Sequence, residues 1–370
     1  MKFKIKVYDP KIGEEEKKNV SKCLNTNWIS SKGEFIDKFE KKFAQYINCK
    51  YAISVVNGTA ALHLALLALN IKKTDEVIVP TYTYIAPVNA INYINAKVRF
   101  VDSKLSSWQI DETEISKIIN SKTKAVIVPH LYGQICNIEK IKSICKKNKL
   151  FLIEDCAEAF GCYFNKRHLG TFGDISTFSF FGNKTITTGE GGMVVTNNKF
   201  LAHQIYKLKT VGLKQNKNYW HDIIGYNYKM TNICAAIGLA QLNNSKTIIK
   251  NKIRVYKTYK KFFKGNRNIV NFNHEVKNTK SSFWMITIYL KNKKIRDKLI
   301  NVLKKNRIET RTTFNPVHKM PMYFKKEYKN LFINSNILSD TGLSLPSSPN
   351  LTFKEIKKVC DITNQVTTNY

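Results

Sequence analysis

The sequence has no long hydrophobic run. The chain has 370 residues, 43% of them hydrophobic, but no stretch reaches the ~18 consecutive apolar residues of a membrane-spanning helix. Its first seven residues alternate lysine with hydrophobic side chains and do not form the apolar core of a signal peptide. We therefore expect a globular protein in the cytoplasm, with a well-buried core and no membrane partner.

Cysteine pairing motifs are also missing. The eight cysteines are scattered, with no Cys-x-x-Cys pair and no grouping with histidine at zinc spacing. We therefore predict reduced thiols and no metal site. Cys156 follows an acidic pair and could be a nucleophile, but a small buried side chain is the favoured interpretation because no histidine lies nearby in the sequence.

Acidic residues are scarce. The sequence has 27 of them against 61 lysines and arginines, which gives a formal net charge of +34. The lysines are spread over the whole length in short pairs, a distribution that is typical of solvated helix faces. We predict no nucleic-acid partner, since no recognised motif of that class is present, while a preference for phosphorylated or anionic ligands stays open.

Strand-like and helix-like segments alternate up to about residue 200. The strand-like runs are residues 51–56, 76–80, 125–129, 150–153, 176–181 and 193–196. Such alternation predicts an α/β fold whose mostly parallel sheet is covered by helices on both faces. Ligands of such sheets bind at the carboxyl ends of the strands.

The pattern changes after a helix-like segment at residues 232–242. A basic helical stretch at 250–263, a strand-like run at 283–290 and an amphipathic helix at 294–305 indicate a smaller α+β unit. Repeats, low-complexity tracts and long Gly/Ser linkers are absent from the sequence. We predict a large domain at 1–245 and a small domain at 246–370 that pack closely.

Gly58 and Thr59 lie between a strand and an alanine-rich helix. Free backbone N–H groups at a helix start, with a hydroxyl beside them, can bind a phosphate. An ordinary helix N-cap is the alternative for this turn taken alone. His63 falls inside the apolar helix and is interpreted as a core residue.

A lysine on a glycine-flanked turn follows an acidic pair by about thirty residues. The pair is Glu154 and Asp155, at the end of a hydrophobic run, and the lysine is Lys184. Taken singly, Asp155 could be a capping carboxylate and Lys184 a surface lysine. Together with the phosphate cradle they match the needs of pyridoxal phosphate: a phosphate anchor, a carboxylate for the ring nitrogen and a lysine that forms a Schiff base and moves a proton.

At these residues the sequence resembles the pyridoxal-phosphate-dependent sugar aminotransferases of the DegT/DnrJ/EryC1/StrS type, and within them it is most similar to the GDP-perosamine synthases. The resemblance covers nearly the entire chain. The motifs that carry it are Trp28-Ile29-Ser30-Ser31-Lys32-Gly33, Asn57-Gly58-Thr59-Ala60-Ala61-Leu62, Pro80-Thr81-Tyr82-Thr83-Tyr84, His130-Leu131-Tyr132-Gly133, Glu154-Asp155-Cys156-Ala157-Glu158-Ala159, Ser179 to Lys184, Gly225 to Asn232 and Ile308-Glu309-Thr310-Arg311.

This resemblance implies a fold-type-I homodimer with an active site at the subunit interface. It places Gly58, Thr59 and Ser179 at the cofactor phosphate, with Asn227 joining from the neighbouring subunit. Tyr84 would stack on the pyridine ring. Asp155 would pair with the ring nitrogen, Glu158 would lie near the ring hydroxyl, and Lys184 would form the Schiff base.

The resemblance also implies a substrate region. It consists of Trp28, Ser30, Lys229, Arg311 and His318, and a loop histidine with a structural hydrogen bond is an equal alternative for His318. The chain departs from its relatives here, with Lys229 in place of a common arginine and with Thr312 to Asn315 in place of a proline followed by aromatic residues. These departures weaken the assignment of the acceptor.

The expected reaction is transfer of the amino group of L-glutamate to the C4 keto group of a nucleotide-linked 4-keto-6-deoxy sugar. A 3-keto sugar nucleotide or a small phosphorylated ketone such as dihydroxyacetone phosphate is the alternative acceptor. A non-catalytic regulator with the same fold is a remote alternative, because the set of Asp155, Glu158 and Lys184 is complete. A related dehydrating branch has histidine in place of the lysine, and Lys184 argues against it.

Overall fold

The computed structural model describes residues 3–214, 217–274 and 276–368. Its α-helices are α1 (Glu14–Asn25), α2 (Glu34–Ile47), α3 (Gly58–Ala68), α4 (Ala86–Tyr93), α5 (Glu112–Ile118), α6 (Ile138–Lys147), α7 (Lys199–Lys209), α8 (Asn232–Asn243), α9 (Ser245–Phe263), α10 (Lys293–Lys305), α11 (Ile333–Thr341) and α12 (Phe353–Thr368). Its strands are β1 (Tyr51–Val55), β2 (Glu76–Pro80), β3 (Lys97–Val101), β4 (Thr123–Pro129), β5 (Phe151–Asp155), β6 (Tyr163–Phe164), β7 (Arg167–His168), β8 (Ile175–Ser179), β9 (Gly192–Thr196), β10 (Ile269–Phe272), β11 (Thr279–Lys280), β12 (Ile286–Leu290), β13 (Arg311–Thr312) and β14 (Gly342–Leu345).

A seven-stranded sheet forms the first part of the molecule, in the order β1-β9-β8-β5-β4-β2-β3. Pairing is parallel from β8 to β3, whereas β9 runs antiparallel to β1 and β8. The predicted α/β class with a mostly parallel sheet is therefore confirmed. Strand β3 was not predicted, because it is an edge strand in which charged and apolar residues alternate and its first residue is exposed.

Helices cover both faces of this sheet. One core lies between the sheet and helices α2, α6 and α8, and a second lies between the sheet and α3, α4 and α7. In α2 the buried side chains Phe35, Phe39, Phe43 and Ile47 recur every four residues and so form one apolar face. The helix ends at Asn48, whose left-handed backbone (φ 59°) terminates it.

A smaller antiparallel sheet follows, in the order β10-β12-β14-β13. It shares a third core with helices α9, α10 and α12. The N-terminal segment joins this part through a bridge between Ile5 and Ile308, and β11 pairs with β6 from the first half of the chain. The division of the chain at residue 245 stays a prediction, and these contacts cross it.

All eight cysteines lie in the described ranges, and each has a free thiol. Across residues 3–214, 217–274 and 276–368 there is no helix with both the length and the apolar character that crossing a membrane requires. Residues 1 and 2 of the alternating N-terminal stretch lie outside the described part.

Candidate active site

A cavity of about 480 Å³ opens at the carboxyl ends of the strands of the large sheet. The segments that follow β1, β2, β4, β5 and β8 all contribute to it, as does the loop region around β13. The volume is typical of a small-molecule site. The predicted site residues that line it are Gly58, Thr59, Tyr84, Asp155, Glu158, Ser179, Lys184 and Arg311.

Helix α3 begins at the floor of this cavity. The side chain of Asn57 accepts a hydrogen bond from the Ala60 amide at 2.8 Å, which caps the helix. A Cβ atom on Gly58 would lie 2.9 Å from the Cβ of Ser179, so only glycine allows the helix start to approach the end of β8 this closely. The helix therefore directs backbone N–H groups and the positive end of its dipole into the cavity, beside two hydroxyl side chains.

Two neighbouring carboxylates at the end of β5 have opposite environments. Strand alternation directs their side chains to opposite faces of the sheet. Glu154 accepts hydrogen bonds from the amides of Gly170, Phe172 and Gly173 at 2.7 to 2.9 Å and faces His130 at 3.3 Å. These partners outweigh burial and lower the pKa of Glu154.

Asp155 faces the cavity and has fewer partners. Its carboxylate accepts a hydrogen bond from the Ala157 amide at 3.0 Å, and the residue is 8% exposed. Burial is the main cause that raises the pKa of Asp155, and it outweighs the opposing effects of the Ala157 amide and the Lys184 charge. The carboxylate that lines the cavity is thus the one with unused hydrogen-bonding capacity.

Lys184 projects from a turn in which both of its backbone polar groups, the N–H and the C=O, are hydrogen-bonded. Its amide donates to the Phe181 carbonyl at 2.9 Å, and its own carbonyl accepts from the Tyr8 hydroxyl at 2.7 Å. The amine lies 3.8 Å from a carboxylate oxygen of Glu158 and 4.1 Å from the centre of the Trp284 ring. Burial lowers the pKa of Lys184, and the two nearby carboxylates only partly oppose this effect. The site thus makes the charged form of the amine less favourable than it is in water, which suits a lysine that must act as a nucleophile.

Glu158 connects this lysine to the wall of the cavity. One of its oxygens accepts a hydrogen bond from the Tyr132 amide at 2.7 Å, and the other faces Lys184. Burial raises the pKa of Glu158 to about 7, although the charge of Lys184 opposes the shift. This carboxyl group can therefore exchange a proton near neutral pH.

Aromatic side chains form one wall of the cavity. Tyr132 is stacked between Phe314 (5.2 Å between ring centres) and Trp284 (6.3 Å), and Tyr84 lies 6.0 Å from Phe314. The sequence did not predict Trp284 as a site residue, because it belongs to no local motif and comes from a distant part of the chain. Only the tertiary fold brings it to Lys184.

Five predicted site residues do not line the cavity of the single chain, and four of them are not buried. Trp28, Ser30 and Asn227 are exposed, and Lys229 is half-buried. The first two lie in a segment that is bound to the start of α8, where Asn232 donates to the carbonyls of Trp28 and Ser30 at 2.7 and 2.6 Å. Their roles stay predictions.

His318 lies outside the cavity lining and is buried. Its ring nitrogen forms a 2.8 Å hydrogen bond with the hydroxyl of Thr81, and its amide donates to the same hydroxyl at 3.1 Å. A structural hydrogen bond of this kind is the alternative that the sequence left open, and a role of His318 at the substrate stays a prediction. The pair joins the segment after β2 to the loop that follows β13.

One buried cluster beside the cavity has the side-chain types of a metal site. Ligand atoms of His130, Glu154 and Cys156 lie within 4.8 Å of one another. The oxygens of Glu154 already accept three backbone hydrogen bonds, and burial raises the pKa of the Cys156 thiol well above its usual range. These side chains therefore connect the end of β5 to the neighbouring segments by hydrogen bonds and packing, and Cys156 has the properties of a buried structural thiol.

Comparison with known proteins places this cavity in a family. The model of the DegT/DnrJ/EryC1/StrS aminotransferase family matches residues 10–364. The chain belongs to this family. Curated relatives include a GDP-perosamine synthase from Escherichia coli O157:H7, 50% identical over 99% of both chains, and one from Vibrio cholerae, 44% identical over 96% of this chain and 97% of the relative.

Solved structures of aminotransferases share the fold. PseC from Helicobacter pylori, an aminotransferase of pseudoaminic acid biosynthesis, has a TM-score of 0.92 at 25% identity over the full length of both chains. DesV from S. venezuelae has a TM-score of 0.89 at 27% identity over 95% of this chain and 94% of its own. The predicted family and fold are confirmed, and the protein is an aminotransferase that depends on pyridoxal phosphate.

The residues of the cavity fit this cofactor. The start of α3 with Thr59 and Ser179 offers donors for a phosphate, and Gly58 leaves the space that a side chain would fill. The carboxylate of Asp155 lines the cavity with one hydrogen bond from the Ala157 amide, and it could accept another from a protonated ring nitrogen. Lys184, with its amine inside the same cavity, completes the set.

Proposed function

We propose that this protein transfers the amino group of L-glutamate to the C4 keto group of a GDP-linked 4-keto-6-deoxy sugar. The chemistry is supported by the cavity in which Lys184, Asp155 and Glu158 meet. The acceptor is supported by identity of 41 to 50% with three proteins named GDP-perosamine synthase, each matched over at least 96% of both chains.

The cofactor, when bound, supplies an electron sink that stabilises negative charge on the substrate carbon. In this proposal Lys184 holds the cofactor through its amine and, once released, carries a proton on Nζ. Asp155 keeps a proton on the ring nitrogen by placing a negative charge beside it. Glu158 lies within 3.8 Å of the lysine amine and can take or return its proton near neutral pH.

Positive charge at the cavity mouth suits a nucleotide diphosphate. Arg311 lines the cavity, and its side chain is 49% exposed, so the guanidinium can bind a phosphate without a large desolvation cost. It lies 3.7 Å from Glu309, which orients it. Thr312 and Phe314 line the cavity next to Arg311, so these two departures from the relatives lie where the acceptor would bind.

The reaction is tested with amino-labelled L-[¹⁵N]glutamate and a set of keto acceptors. We expect ¹⁵N in the sugar product with the GDP-linked 4-keto-6-deoxy sugar, as measured by mass spectrometry. Lys184→Ala should lower the rate at least about a thousandfold, because the proton carrier is lost. It should also abolish covalent attachment of the cofactor after borohydride reduction.

Other acceptors distinguish the alternatives. A 3-keto sugar nucleotide and dihydroxyacetone phosphate are offered under the same conditions. Faster labelling of either one would contradict the proposed acceptor and leave the aminotransferase chemistry intact. Absence of any transfer, together with salt-sensitive DNA binding, would instead support a regulator.

We also propose that the active unit is a homodimer. Apolar side chains are unusually exposed on the segment before Asn227, with Tyr219 95%, Ile224 89% and Trp220 49% exposed. Phe181, which lines the cavity, is 49% exposed. Burial of this surface by a second copy would explain both observations and would bring Asn227 of the partner subunit towards the phosphate end of the cavity. The cytoplasmic location stays a prediction.

A further inference from the structure

Trp284 contacts the turn that carries Lys184, although the two residues are distant in the sequence. Its indole N–H donates to the carbonyl of Asn183, the residue before the lysine, at 2.7 Å. Its ring lies 4.1 Å from the lysine amine and is stacked on Tyr132. Trp284 therefore contacts both the backbone of the turn and the reactive atom at the end of the side chain.

The backbone of Trp284 is itself fixed by a buried lysine. Lys252, 1% exposed, donates to the carbonyls of Trp284 and Ser347 at 2.9 and 3.0 Å, and its amine lies 4.9 Å from the ring of Tyr8. The hydroxyl of Tyr8 donates to the Lys184 carbonyl. Lys252 thus supports the lysine turn through two neighbours, Trp284 and Tyr8.

Unusual backbone geometry makes this approach possible. Tyr132 and Phe283 have left-handed φ angles of 57° and 48°, which are rare for aromatic residues. Gly133, with φ 73°, would place a Cβ atom 2.7 Å from the Trp284 amide. Such strained positions persist where the surrounding structure imposes them, and they are frequent at functional sites.

We propose that Trp284 is a positioning residue whose indole face holds the free, positively charged amine of Lys184 inside the cavity, next to Glu158. The proposal rests on the proposed function, in which Lys184 leaves the cofactor and carries a proton. A released amine without such a contact could rotate away from the reacting atoms. The negative face of an indole ring attracts an ammonium group, and most strongly where water is excluded.

The charge state of Lys184 reports this contact directly. Burial lowers the pKa of Lys184, while Glu158 and Asp155 raise it. In the proposal the indole ring, 4.1 Å from the amine, also stabilises the charged form, so its removal should lower the pKa further. The titratable or charged groups that line the cavity with Lys184 are Tyr84, His130, Tyr132, Asp155, Glu158, Glu190 and Arg311. A substitution at Trp284 keeps all of these groups, and Tyr132 is the one that loses a stacking partner.

The test measures the pKa of Lys184 by competitive acetylation over a pH series, followed by mass spectrometry of the chymotryptic peptide that contains it. The full-length protein is labelled both without cofactor and with pyridoxamine phosphate, since the lysine is free in both forms. We expect Trp284→Leu to lower the pKa of Lys184 by about one unit. Trp284→Phe keeps an aromatic ring, so in this variant the pKa of Lys184 should stay close to its wild-type value.

Trp108→Leu is the matched control. Trp108 is fully buried in the same aromatic cluster, 6.1 Å from Tyr132, but it does not line the cavity. The Trp108→Leu variant should lose about as much stability as Trp284→Leu, and it should leave the pKa of Lys184 unchanged. An equal pKa in the two leucine variants, with both folded by circular dichroism, would overturn the proposal.

Fluorinated tryptophan provides a second measurement that does not depend on folding of the leucine variant. Incorporation at all four tryptophans keeps the shape of the ring and weakens its attraction for a cation. The pKa of Lys184 should fall stepwise as fluorine atoms are added, and a constant value would contradict the proposal. Neither measurement uses a keto sugar, so failure of the proposed acceptor is recognised separately from failure of this inference.

Discussion

Glu154 and Asp155 are adjacent in the sequence but have separate tasks, which single substitutions can distinguish. Asp155→Asn keeps an oxygen for the Ala157 amide and removes a buried charge. We expect the melting temperature to stay the same or rise, while turnover falls about 10² to 10³-fold because the charge beside the ring nitrogen is lost. Thermal unfolding and steady-state kinetics measure the two effects.

Glu154→Gln is the matched control at the neighbouring position. An amide group would place an N–H donor against the donors of Gly170, Phe172 or Gly173, and it would leave His130 without its charged partner. We expect a loss of about 3 kcal/mol in the free energy of unfolding. A stable but inactive Glu154 variant, or an unstable Asp155 variant, would show that the two roles are assigned wrongly.

At the residue scale, the sequence predicted side chains that belong to short motifs. Asp155, Glu158 and Lys184 follow strand ends, and parallel strands bring their carboxyl ends to one edge of the sheet. Trp284 could not be predicted, because its contact with Lys184 depends on the strained approach of two distant segments. The environment of His318 was left open for the same reason: its hydrogen-bond partner, Thr81, is 237 residues away.

At the element scale, the start of helix α3 depends on Gly58. A methyl group there would lie 2.9 Å from the Cβ of Ser179, so Gly58→Ala must displace the helix start from β8. Because the phosphate donors move with it, we expect the affinity for pyridoxal phosphate to fall about tenfold to a hundredfold. Fluorescence titration of the cofactor-free protein measures this affinity.

Gly182→Ala is the control for this substitution. It adds the same methyl group on the turn after β8, where no atom lies within 4 Å of the added Cβ. Cofactor affinity should stay within about twofold of the wild type. An equal loss in both variants would indicate that the effect comes from turn flexibility, which glycine supplies at either position.

Elements were predicted best where they are buried. The core strands β2, β4 and β5 each contain an uninterrupted apolar run, and their positions agree with the prediction to within two residues at each end. The edge strand β3 was missed because charged residues interrupt its apolar pattern. The two-residue strands β6, β7 and β11 could not be predicted, since tertiary pairing alone defines them.

At the scale of the whole molecule, the single chain leaves Asn227 exposed and outside the cavity that its own Lys184 lines. If Asn227 serves the site of the partner subunit, two inactive variants should complement each other. Asn227→Asp would place a negative charge against the phosphate, and Lys184→Ala removes the reactive amine. In a mixed dimer one site would have wild-type Lys184 and wild-type Asn227.

Co-expression of the two variants with different affinity tags should therefore restore activity. With equal amounts and random pairing, half of the dimers are mixed and each has one intact site, so we expect about one quarter of wild-type turnover. Lys184→Ala mixed with Asp155→Asn is the control, since both residues line the cavity of one chain and every site would keep a defect. Restoration in neither mixture would mean that Asn227 acts in its own subunit, and restoration in both would mean that subunits exchange more than this one residue.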